Sequence, residues 1–459
     1  MSIPEQCTVL VVGGGPAGSY AAAALAREGL DTVLLEADVH PRYVDLRVVA
    51  SKYLQRKEVS ADVDYPGIML GRVGGAFTLN QTNCEGYTDF IAEGGPNHYS
   101  WNVIRSEADE LLFRHAANSG AKTFEAVKSD GATGVIGFKY IINASGRAGL
   151  LNTKYLKNRK YNQGPKNVAV WAYWKATGKY GEGTPRENSP YFEALTDGTH
   201  SVGVVMDQEM MSQKKAVSEL SANARYLSWL KLAPRLNGYL TGGKMVTGLK
   251  SASDSPMIPL LMLSPMPELP EMQAITGGLS AATTICAAIR GDCDEVAAAK
   301  WHSTEVKEGY SHWLITVLSA YKQMSNQAEP VLSDVGEDNF DRAFNFFKPI
   351  IQGTSDVSTK LTQAEFSHTL NFVLKAFDRK IGGDLTSEEE ERIYEDIRKT
   401  QSQNMSNIES FTMDIIDGRL PRLLRGKLGL ESVAAMDGHT KHCTTATVSS
   451  MMDDTATLA

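Results

Sequence analysis

A glycine-rich turn near the N-terminus constrains the fold of this chain more than any other feature. Gly13, Gly15 and Gly18 have the spacing G-x-G-x-x-G. They follow an apolar run, residues 9–12, that predicts a buried parallel strand. In this pattern the first glycine permits a tight turn, the second lets the backbone approach a pyrophosphate, and the third lets the next helix pack closely. We therefore predict a βαβ unit that binds a dinucleotide.

The residues after the turn complete the predicted unit. Residues 17–28 predict a helix whose N-terminus offers N–H groups and a partial positive charge to phosphates. Residues 32–35 predict the second strand, and Glu36 stands at its end, where a carboxylate can bind a ribose hydroxyl. Gly14 and Ala17 lie in the same turn and are included among the predicted cofactor contacts. FAD and NAD(P) share this turn, so the motif alone leaves the dinucleotide open.

Two later segments bear on the choice of cofactor, although the first of them is by itself an ordinary helix start. Residues 105–112, RSEADELL, predict a helix start with Ser106 as the N-cap, acids in the first turn and Arg105 beside it. Residues 140–149, YIINASGRAG, predict a short strand that ends in small residues, including Gly146, as a second close backbone approach would require. The simpler alternatives are an ordinary surface helix and a plain strand followed by a turn.

Several blocks of this sequence resemble a known family. The main ones are GGGPAGSYAAAALAREG, WNVIRSEADELLFRHA, INASGRAG and GGLSAATTICAAIRGDCDEVAAAKWH. Together they resemble the fungal flavin-dependent halogenases of polyketide pathways, within the wider class of FAD monooxygenases. Further similar blocks include NVAVWAYWKATGKYGEGTPRENSPYFEAL and EPVLSDVGEDNFDRAFNFFKPIIQGTSDV, so the resemblance extends over residues 5–360.

The resemblance implies a specific chemistry. It implies FAD as the cofactor, chloride as the co-substrate, a separate flavin reductase as a partner and an aromatic polyketide as the small-molecule substrate. In such enzymes hypochlorous acid formed at the reduced flavin passes through a tunnel to an electron-rich ring. A lysine in that tunnel is the family's catalytic residue. On the family pattern, Arg105 follows Trp101 and approaches the flavin.

The segment that should carry this lysine departs from the family pattern. Residues 44–73 match none of the family's sequence, and the match returns at Gly74. Counted back from that block, the lysine position falls near Arg72, which we take as the candidate catalytic residue. An arginine can hold an anion by its charge, but it stays protonated in proteins and cannot act as an amine nucleophile.

Two other segments also depart from the pattern. Residues 255–274 replace a strand ending in Gly-Asp-Ala that contacts the flavin in the family, together with the small residues that bind chloride. Pro265 and Pro267 make this stretch a poor central strand. Between Gly198 and Val202 the family's tryptophan-rich strand has no counterpart. The predicted floor of the flavin site is therefore missing from the sequence.

A shift of reading frame is one hypothesis for these departures. With permitted codons, residues 47–54 read one nucleotide along give Glu-Ser-Leu-Leu-Pro-Ser, which is the family's motif at this place. Residues 261–274 read two nucleotides along give Ser-His-Ala-Phe and then Gly-Asp-Ala. Codon degeneracy makes one recovery weak evidence, whereas two recoveries at the expected places favour frameshifts or misplaced introns.

Three functions follow from the resemblance and the departures. The first is a halogenase that chlorinates a phenolic polyketide. The second is an FAD-dependent aromatic hydroxylase on the same fold. The loss of the chloride and lysine positions would favour this activity over halogenation. The third is a catalytically impaired remnant that retains the nucleotide fold. A flavin spectrum would exclude an empty scaffold, and chloride-dependent product mass would separate halogenation from hydroxylation.

The predicted fold is of the α/β class. It has a Rossmann-like FAD-binding domain with an inserted substrate β-sheet and a C-terminal helical region. Strands are predicted at 168–174 and 201–206 and a helix at 214–233, with Trp171 and Trp174 in the core of the sheet. The predicted regions are the FAD-binding domain at 1–150, the substrate sheet at 151–250, an altered return segment of the FAD-binding domain at 251–296, helices at 297–434 and a disordered tail at 435–459.

Charge and cysteine usage limit the remaining possibilities. The net charge of −8 and the pI of about 5.7 leave no basic field for nucleic acid. No apolar run reaches the roughly 18 residues of a membrane helix, and residues 1–8 contain no secretory signal pattern. The five cysteines are odd in number and show no pairing pattern, which favours the cytoplasm. We predict neither a nucleic-acid nor a membrane partner, and no metal.

Overall fold

The structure is a computed structural model. It describes residues 2–41, 47–50, 69–72, 74–77, 86–89, 100–127, 134–158, 167–178, 199–217, 219–253, 269–306 and 415–433. The sequence-predicted helices within residues 310–399 and the predicted disordered tail at 435–459 lie outside these residues. Most of the two replaced segments, 44–73 and 255–274, also lies outside them.

The described chain contains short strands, helices and two irregular helical turns. The strands are β1 (Gln6–Val12), β2 (Thr32–Leu35), β3 (Arg47–Ala50), β4 (Met69–Arg72), β5 (Gly74–Phe77), β6 (Gly86–Asp89), β7 (Ser100–Ile104), β8 (Lys122–Phe124), β9 (Gly137–Asn143), β10 (Asn167–Lys175), β11 (His200–Asp207), β12 (Lys244–Met245), β13 (Lys250–Ser253), β14 (Arg419–Arg422) and β15 (Gly429–Ser432). The helices are α1 (Pro16–Arg27), α2 (Arg105–Asn118), α3 (Gln208–Ala216), α4 (Ala222–Leu230), α5 (Pro234–Tyr239), α6 (Leu269–Arg290) and α7 (295–306), with a 3₁₀ turn at Gly146–Ala148 and a π turn at Leu151–Tyr155.

The N-terminal sheet has four parallel strands in the order β8-β2-β1-β9. Val9 pairs with Thr32 across β1 and β2, and Val12 pairs with Asn143 across β1 and β9. The predicted βαβ unit is confirmed, because β1, α1 and β2 follow one another with the two strands parallel. Val9 and Leu34 are fully buried, as the apolar runs that formed the strands required.

α1 covers this sheet and contacts two further helices, α2 and α6. Pro16 occupies its first turn, where the missing N–H costs nothing, and small alanines follow. Ala21, Ala22 and Leu25 have no exposed surface. Because these side chains are short, α6 can approach α1 closely, and the two helices share one apolar core with β1 and β2.

The second sheet is antiparallel, with β10 at its centre between β11 and the pair β12 and β13. Its strands confirm the predictions at 168–174 and 201–206. Val170, Ala172 and Trp174 share one face of β10 and pack on the helices α3 and α4. Trp174 also donates Nε1–H to the hydroxyl of Tyr226 at 3.1 Å, so its predicted place in the core is confirmed.

The single helix predicted at 214–233 is wrong. The structure has two helices there, α3 ending at Ala216 and α4 beginning at Ala222. Ser221 accepts a hydrogen bond through Oγ from the N–H of Ala224 at 3.3 Å, and so caps the second helix. Serine is favoured at the N-cap of a helix and disfavoured in a helix interior, because its hydroxyl hydrogen-bonds to nearby backbone groups. This preference accounts for a new helix beginning after Ser221.

The described C-terminal residues include a β-hairpin that the sequence interpretation did not predict. α7 begins the region assigned to helices, whereas β14 and β15 pair antiparallel near its end. Leu430 of the hairpin is 2% exposed, and it packs with Trp301 of α7 and Ala287 of α6. Nε1–H of Trp301 donates to the carbonyl of Arg419 at 3.2 Å. These contacts fasten the hairpin to the nucleotide-binding layer.

Candidate dinucleotide site

The first glycine of the turn is required by its backbone conformation and by its neighbour. Gly13 has φ of +108°, which L side chains rarely adopt. A Cβ at this position would overlap the carbonyl oxygen of Ala144, which follows β9. The N–H of Gly13 donates to the carbonyl of Leu35 at 2.8 Å, so the turn is held from both sides.

Two other glycines allow close helix packing. A Cβ at Gly18 would overlap the carbonyl oxygen of Gly13, so α1 lies directly on the turn. A Cβ at Gly278 of α6 would overlap the carbonyl oxygen of Ala17. The third glycine of the motif therefore has the packing role that its spacing predicted. Gly278 has the same role from the other side, and sequence reasoning did not single it out.

Gly15 lies at the start of α1 and is its N-cap residue. No side chain caps this end of α1, and its first turn contains no acidic residue. The N-terminal N–H groups of a helix carry a partial positive charge that a phosphate can neutralise. The start of α1 therefore fits an anionic pyrophosphate, whose oxygen atoms would accept hydrogen bonds from these N–H groups.

Glu36 lies beside the turn at the end of β2, where the sequence places it. It is 3% exposed, and its Oε2 accepts a hydrogen bond from the N–H of Gly14 at 2.6 Å. Its Oε1 accepts one from the N–H of Asp38 at 2.9 Å. The carboxylate thus spans the glycine turn and the loop after β2. A ribose that follows the pyrophosphate would meet this carboxylate.

An aromatic support behind Gly14 was missed by sequence reasoning. A Cβ at Gly14 would lie 2.7 Å from a ring carbon of Phe113 on α2, so this glycine is also sterically required. The ring of His40 stacks on Phe113 with 4.6 Å between the centroids. Glu125 holds His40 through its backbone N–H at 2.7 Å and its Nδ1 at 2.9 Å. No local sequence pattern joins these residues.

The Glu125 carboxylate is held in its ionised form. Burial alone would raise its pKa, but hydrogen bonds from His40 and Arg114 outweigh burial and hold the pKa below its ordinary value. Arg114 donates to Oε2 of Glu125 at 2.9 Å. The loop after β2 is therefore held by a charged carboxylate that follows β8.

Gly146 lies after β9, in the segment predicted as a second close approach. Its φ is +54°, and it starts the 3₁₀ turn. No heavy atom lies within 4 Å of a Cβ built on it, so backbone conformation rather than crowding favours glycine there. Ser145 stabilises the same turn by accepting the N–H of Leu150 at 2.8 Å through Oγ.

Arg105 is the first residue of α2, and Ser106 follows it inside the helix. The prediction of Ser106 as the N-cap is therefore wrong, because β7 runs directly into α2 and leaves no residue between Ile104 and Arg105. Nε of Arg105 donates to Oδ1 of Asp109, one turn along the helix. Its role as a cofactor contact stays a prediction.

The backbone of Arg72 lies at the end of β4, where it pairs with Ser100 of β7. This strand belongs to a sheet separate from the one that contains the glycine turn. Arg105 follows the other end of β7, about 17 Å along the strand from Ser100 at 3.3 Å per residue. The catalytic assignment of Arg72 stays a prediction.

The site as a whole fits a dinucleotide. The turn has the glycines that a pyrophosphate-binding turn needs, the helix end supplies N–H donors, and a buried carboxylate stands at the end of β2. The protein is thus defined by its fold and site as a Rossmann-type dinucleotide-binding protein. In agreement, the profile of the NAD(P)-binding Rossmann-like domain matches residues 11–42.

Curated relatives identify the family. The flavin-dependent halogenase ascD of Acremonium egyptiacum is 42% identical, in an alignment that covers 95% of this chain and 94% of the relative. The sulochrin halogenase gedL of Aspergillus terreus (strain NIH 2624 / FGSC A1156) is 37% identical, in an alignment that covers 94% of each chain. The chain belongs to the family of flavin-dependent halogenases. Enzymes of this family use FAD, which is therefore the cofactor of this protein.

A solved structure shows the same fold. The crystal structure of CmlS, a flavin-dependent halogenase, superposes on this chain with a TM-score of 0.61 and 19% sequence identity. The superposition covers 93% of this chain and 84% of CmlS. The alignment with ascD extends over 523 residues, which exceeds the 459 residues of this chain. The relative therefore contains segments that have no counterpart here.

None of the helices in the described part of the chain has the length and apolar character of a membrane span. The same residues contain no group of three or more His, Cys, Asp or Glu side chains arranged for a metal ion.

Proposed function

We propose that this flavin-dependent halogenase acts on a phenolic ring of an aromatic polyketide and receives reduced FAD from a separate reductase. The observation that supports FAD binding most directly is the intact cradle formed by Gly13, the uncapped start of α1 and Glu36. The substrate class is supported by relatives at 36–42% identity, one of which is named for sulochrin.

Each residue of the cradle has a distinct part in holding the cofactor. Gly13 and Gly15 give the pyrophosphate access to the backbone, and Glu36 binds the adenosine ribose. Gly14 carries the N–H that orients Glu36. When bound in its reduced form, FAD would supply two electrons to molecular oxygen, so that one oxygen atom leaves as water and the other oxidises chloride to hypochlorous acid. The cradle residues would fix the position and direction of the cofactor.

The replaced segments favour a reduced rate of halogenation. Residues 44–73 and 255–274 lack the family's lysine, flavin-contacting strand and chloride-binding residues. Arg72 is the cation nearest to the lysine position along the sequence, and it can bind an anion but cannot form a chloramine. Loss of the chloride site would also favour aromatic hydroxylation, which is the alternative activity that we propose to test.

The test is to purify the full chain and record its flavin spectrum. The protein is then supplied with reduced FAD, oxygen, chloride and sulochrin as a phenolic probe, and product masses are measured. A chlorinated product that requires chloride supports the proposal, and a product heavier by one oxygen supports the hydroxylase. Gly15→Val is the control, because a side chain there obstructs the pyrophosphate and should abolish flavin retention.

A Gly15→Val protein that retains its flavin would contradict the assignment of the cradle. A wild-type protein that binds FAD but forms neither product would contradict the proposed substrate chemistry while leaving the cradle intact. The two parts of the proposal can therefore fail separately.

A further inference from the structure

Asp109 is a buried carboxylate paired with Arg105 at the start of α2. Its side chain is 1% exposed, and Oδ1 accepts a hydrogen bond from Nε of Arg105. The two residues stand one helical turn apart, so they face the same side of the helix. The side chain of Arg105 is 15% exposed, and the pair is therefore largely withdrawn from water.

The direction of α2 places this pair at the phosphate end of the site. Phe113 of α2 packs on Gly14 at the turn, whereas a Cβ at Gly120, beyond the end of α2, would lie 3.9 Å from Ala26 near the end of α1. α1 and α2 therefore run in the same direction. Arg105 precedes Phe113 by about 12 Å along the helix axis, at 1.5 Å per residue. It lies beyond the glycine turn, on the side where the phosphates approach α1.

Asp109 contacts the guanidinium of Arg105 at Nε, the nitrogen nearest the aliphatic stem. An arginine carries five N–H donors, and the terminal nitrogens lie farther along the side chain than Nε. A long arginine side chain loses rotamer freedom when it binds an anion. A guanidinium that is already held at Nε loses less rotamer freedom when it binds an anion, because its plane and direction are set before binding.

We propose that Asp109 is a positioning residue that holds Arg105 in the direction needed to contact the phosphates of FAD. The inference depends on the proposed contact between Arg105 and FAD. The negative charge of Asp109 reduces the net charge of the pair and by itself disfavours an anion nearby. The benefit of Asp109 must therefore come from the order that it imposes on Arg105.

The test is a double-mutant cycle on FAD affinity in the full chain. Apoprotein is titrated with FAD for the wild type, Asp109→Asn, Arg105→Met and the variant with both changes, and the Kd is taken from flavin fluorescence. Arg105→Met should raise the Kd by at least about tenfold, and Asp109→Asn by at least about fivefold. In the Arg105→Met background, Asp109→Asn should change the Kd by less than about twofold.

Glu110→Gln is the matched control on the same helix. Glu110 pairs with Arg114 at the surface, with 3.5 Å between Oε1 and Nη2. Its loss should leave the FAD Kd within about twofold of the wild type. Thermal unfolding of each apoprotein reports whether a variant has lost its fold. If Arg105→Met does not fold, Arg105→Lys replaces it, because a lysine keeps a positive charge beside Asp109.

Several results would overturn the inference. An equal loss of FAD affinity from Asp109→Asn in both backgrounds would show that Asp109 acts on the fold and not through Arg105. Unchanged or tighter FAD binding in the Asp109→Asn variant would show that its charge outweighs its ordering effect. An unchanged Kd in the Arg105→Met variant would show that Arg105 does not contact FAD.

Discussion

Glu28, at the end of α1, and Arg290, at the end of α6, form an ion pair with 2.6 Å between Oε2 and Nη2. The same carboxylate accepts the backbone N–H groups of Gly426 at 2.7 Å and Leu428 at 3.1 Å. The side chain of Glu28 is 4% exposed. One buried carboxylate thus joins two helices of the nucleotide-binding layer to the C-terminal hairpin.

Glu28→Gln should lower the free energy of unfolding by about 2 kcal/mol. The neutral amide cannot accept all these hydrogen bonds, and Arg290 loses its charged partner. Urea denaturation followed by tryptophan fluorescence measures the loss. Asp31→Asn is the control, because the Asp31–Lys122 pair is 44% and 50% exposed and should contribute less than about 0.5 kcal/mol. Equal losses in the two variants would contradict the role of Glu28.

The βαβ unit could be predicted from the sequence because its signals are local. The spacing of Gly13, Gly15 and Gly18 and the apolar run before them lie within a few residues of one another. The bond between Gly426 and Glu28 joins residues that are 398 positions apart. No period or spacing connects such residues, and their contact arises only when the whole fold forms. The aromatic support of Gly14 by Phe113 was missed for the same reason.

Gly278→Ala should weaken FAD retention, whereas Gly277→Ala should not. The added methyl at Gly278 would overlap the carbonyl oxygen of Ala17, so α6 would be forced away from the start of α1. No heavy atom lies within 4 Å of a Cβ at Gly277, and alanine there favours the helix by about 1 kcal/mol. Flavin content after gel filtration and the thermal midpoint measure both effects. Equal behaviour of the two variants would argue against close packing of α1 and α6.

Glu125 should make the stability of the protein depend on acid pH. Its pKa is lowered in the folded state, so its contribution is present above its ordinary pKa of 4.5 and is lost as the pH falls through the lowered folded value. Around it, His40 and Arg114 contact the carboxylate, and Glu110 contacts Arg114. The unfolding midpoint is measured against pH for the wild type and Glu125→Gln.

The two proteins should differ most near neutral pH and converge in acid, below the lowered pKa of Glu125. A difference that stays constant down to about pH 3 would show that Glu125 is not the titrating group. The stacked pair of His40 and Phe113 should lose order in Glu125→Gln, because His40 then loses a charged partner.

The frame-shift hypothesis predicts a specific difference between transcript and sequence. Mature mRNA should encode Glu-Ser-Leu-Leu-Pro-Ser near residues 47–54 and Gly-Asp-Ala near residues 261–274. Sequencing cDNA across both windows measures this directly. A transcript that encodes the present sequence throughout would refute the hypothesis and would make the replaced segments a genuine property of the protein.

The polypeptide with the present sequence should chlorinate a phenolic polyketide at least about a hundredfold more slowly than an intact relative such as ascD. That factor corresponds to about 2.7 kcal/mol of lost transition-state stabilisation. The proposed cradle around Gly13 and Glu36 would hold only the ADP half of FAD, and catalysis also requires a dry ring site, N–H groups for chloride and a donor in the tunnel. Arg72 supplies a positive charge, but its protonated guanidinium has no amine lone pair that could accept chlorine.

Rates are compared at saturating reduced FAD, oxygen and chloride, with equal flavin content in both proteins. Restoring residues 44–73 and 255–274 to the family pattern should raise the rate only if loss of the tryptophan-rich strand between Gly198 and Val202 is tolerated. Equal rates for the unaltered chain and the intact relative would show that other residues rebuild the chloride and tunnel sites. The hundredfold loss would then be wrong, although FAD binding at the glycine turn would stand.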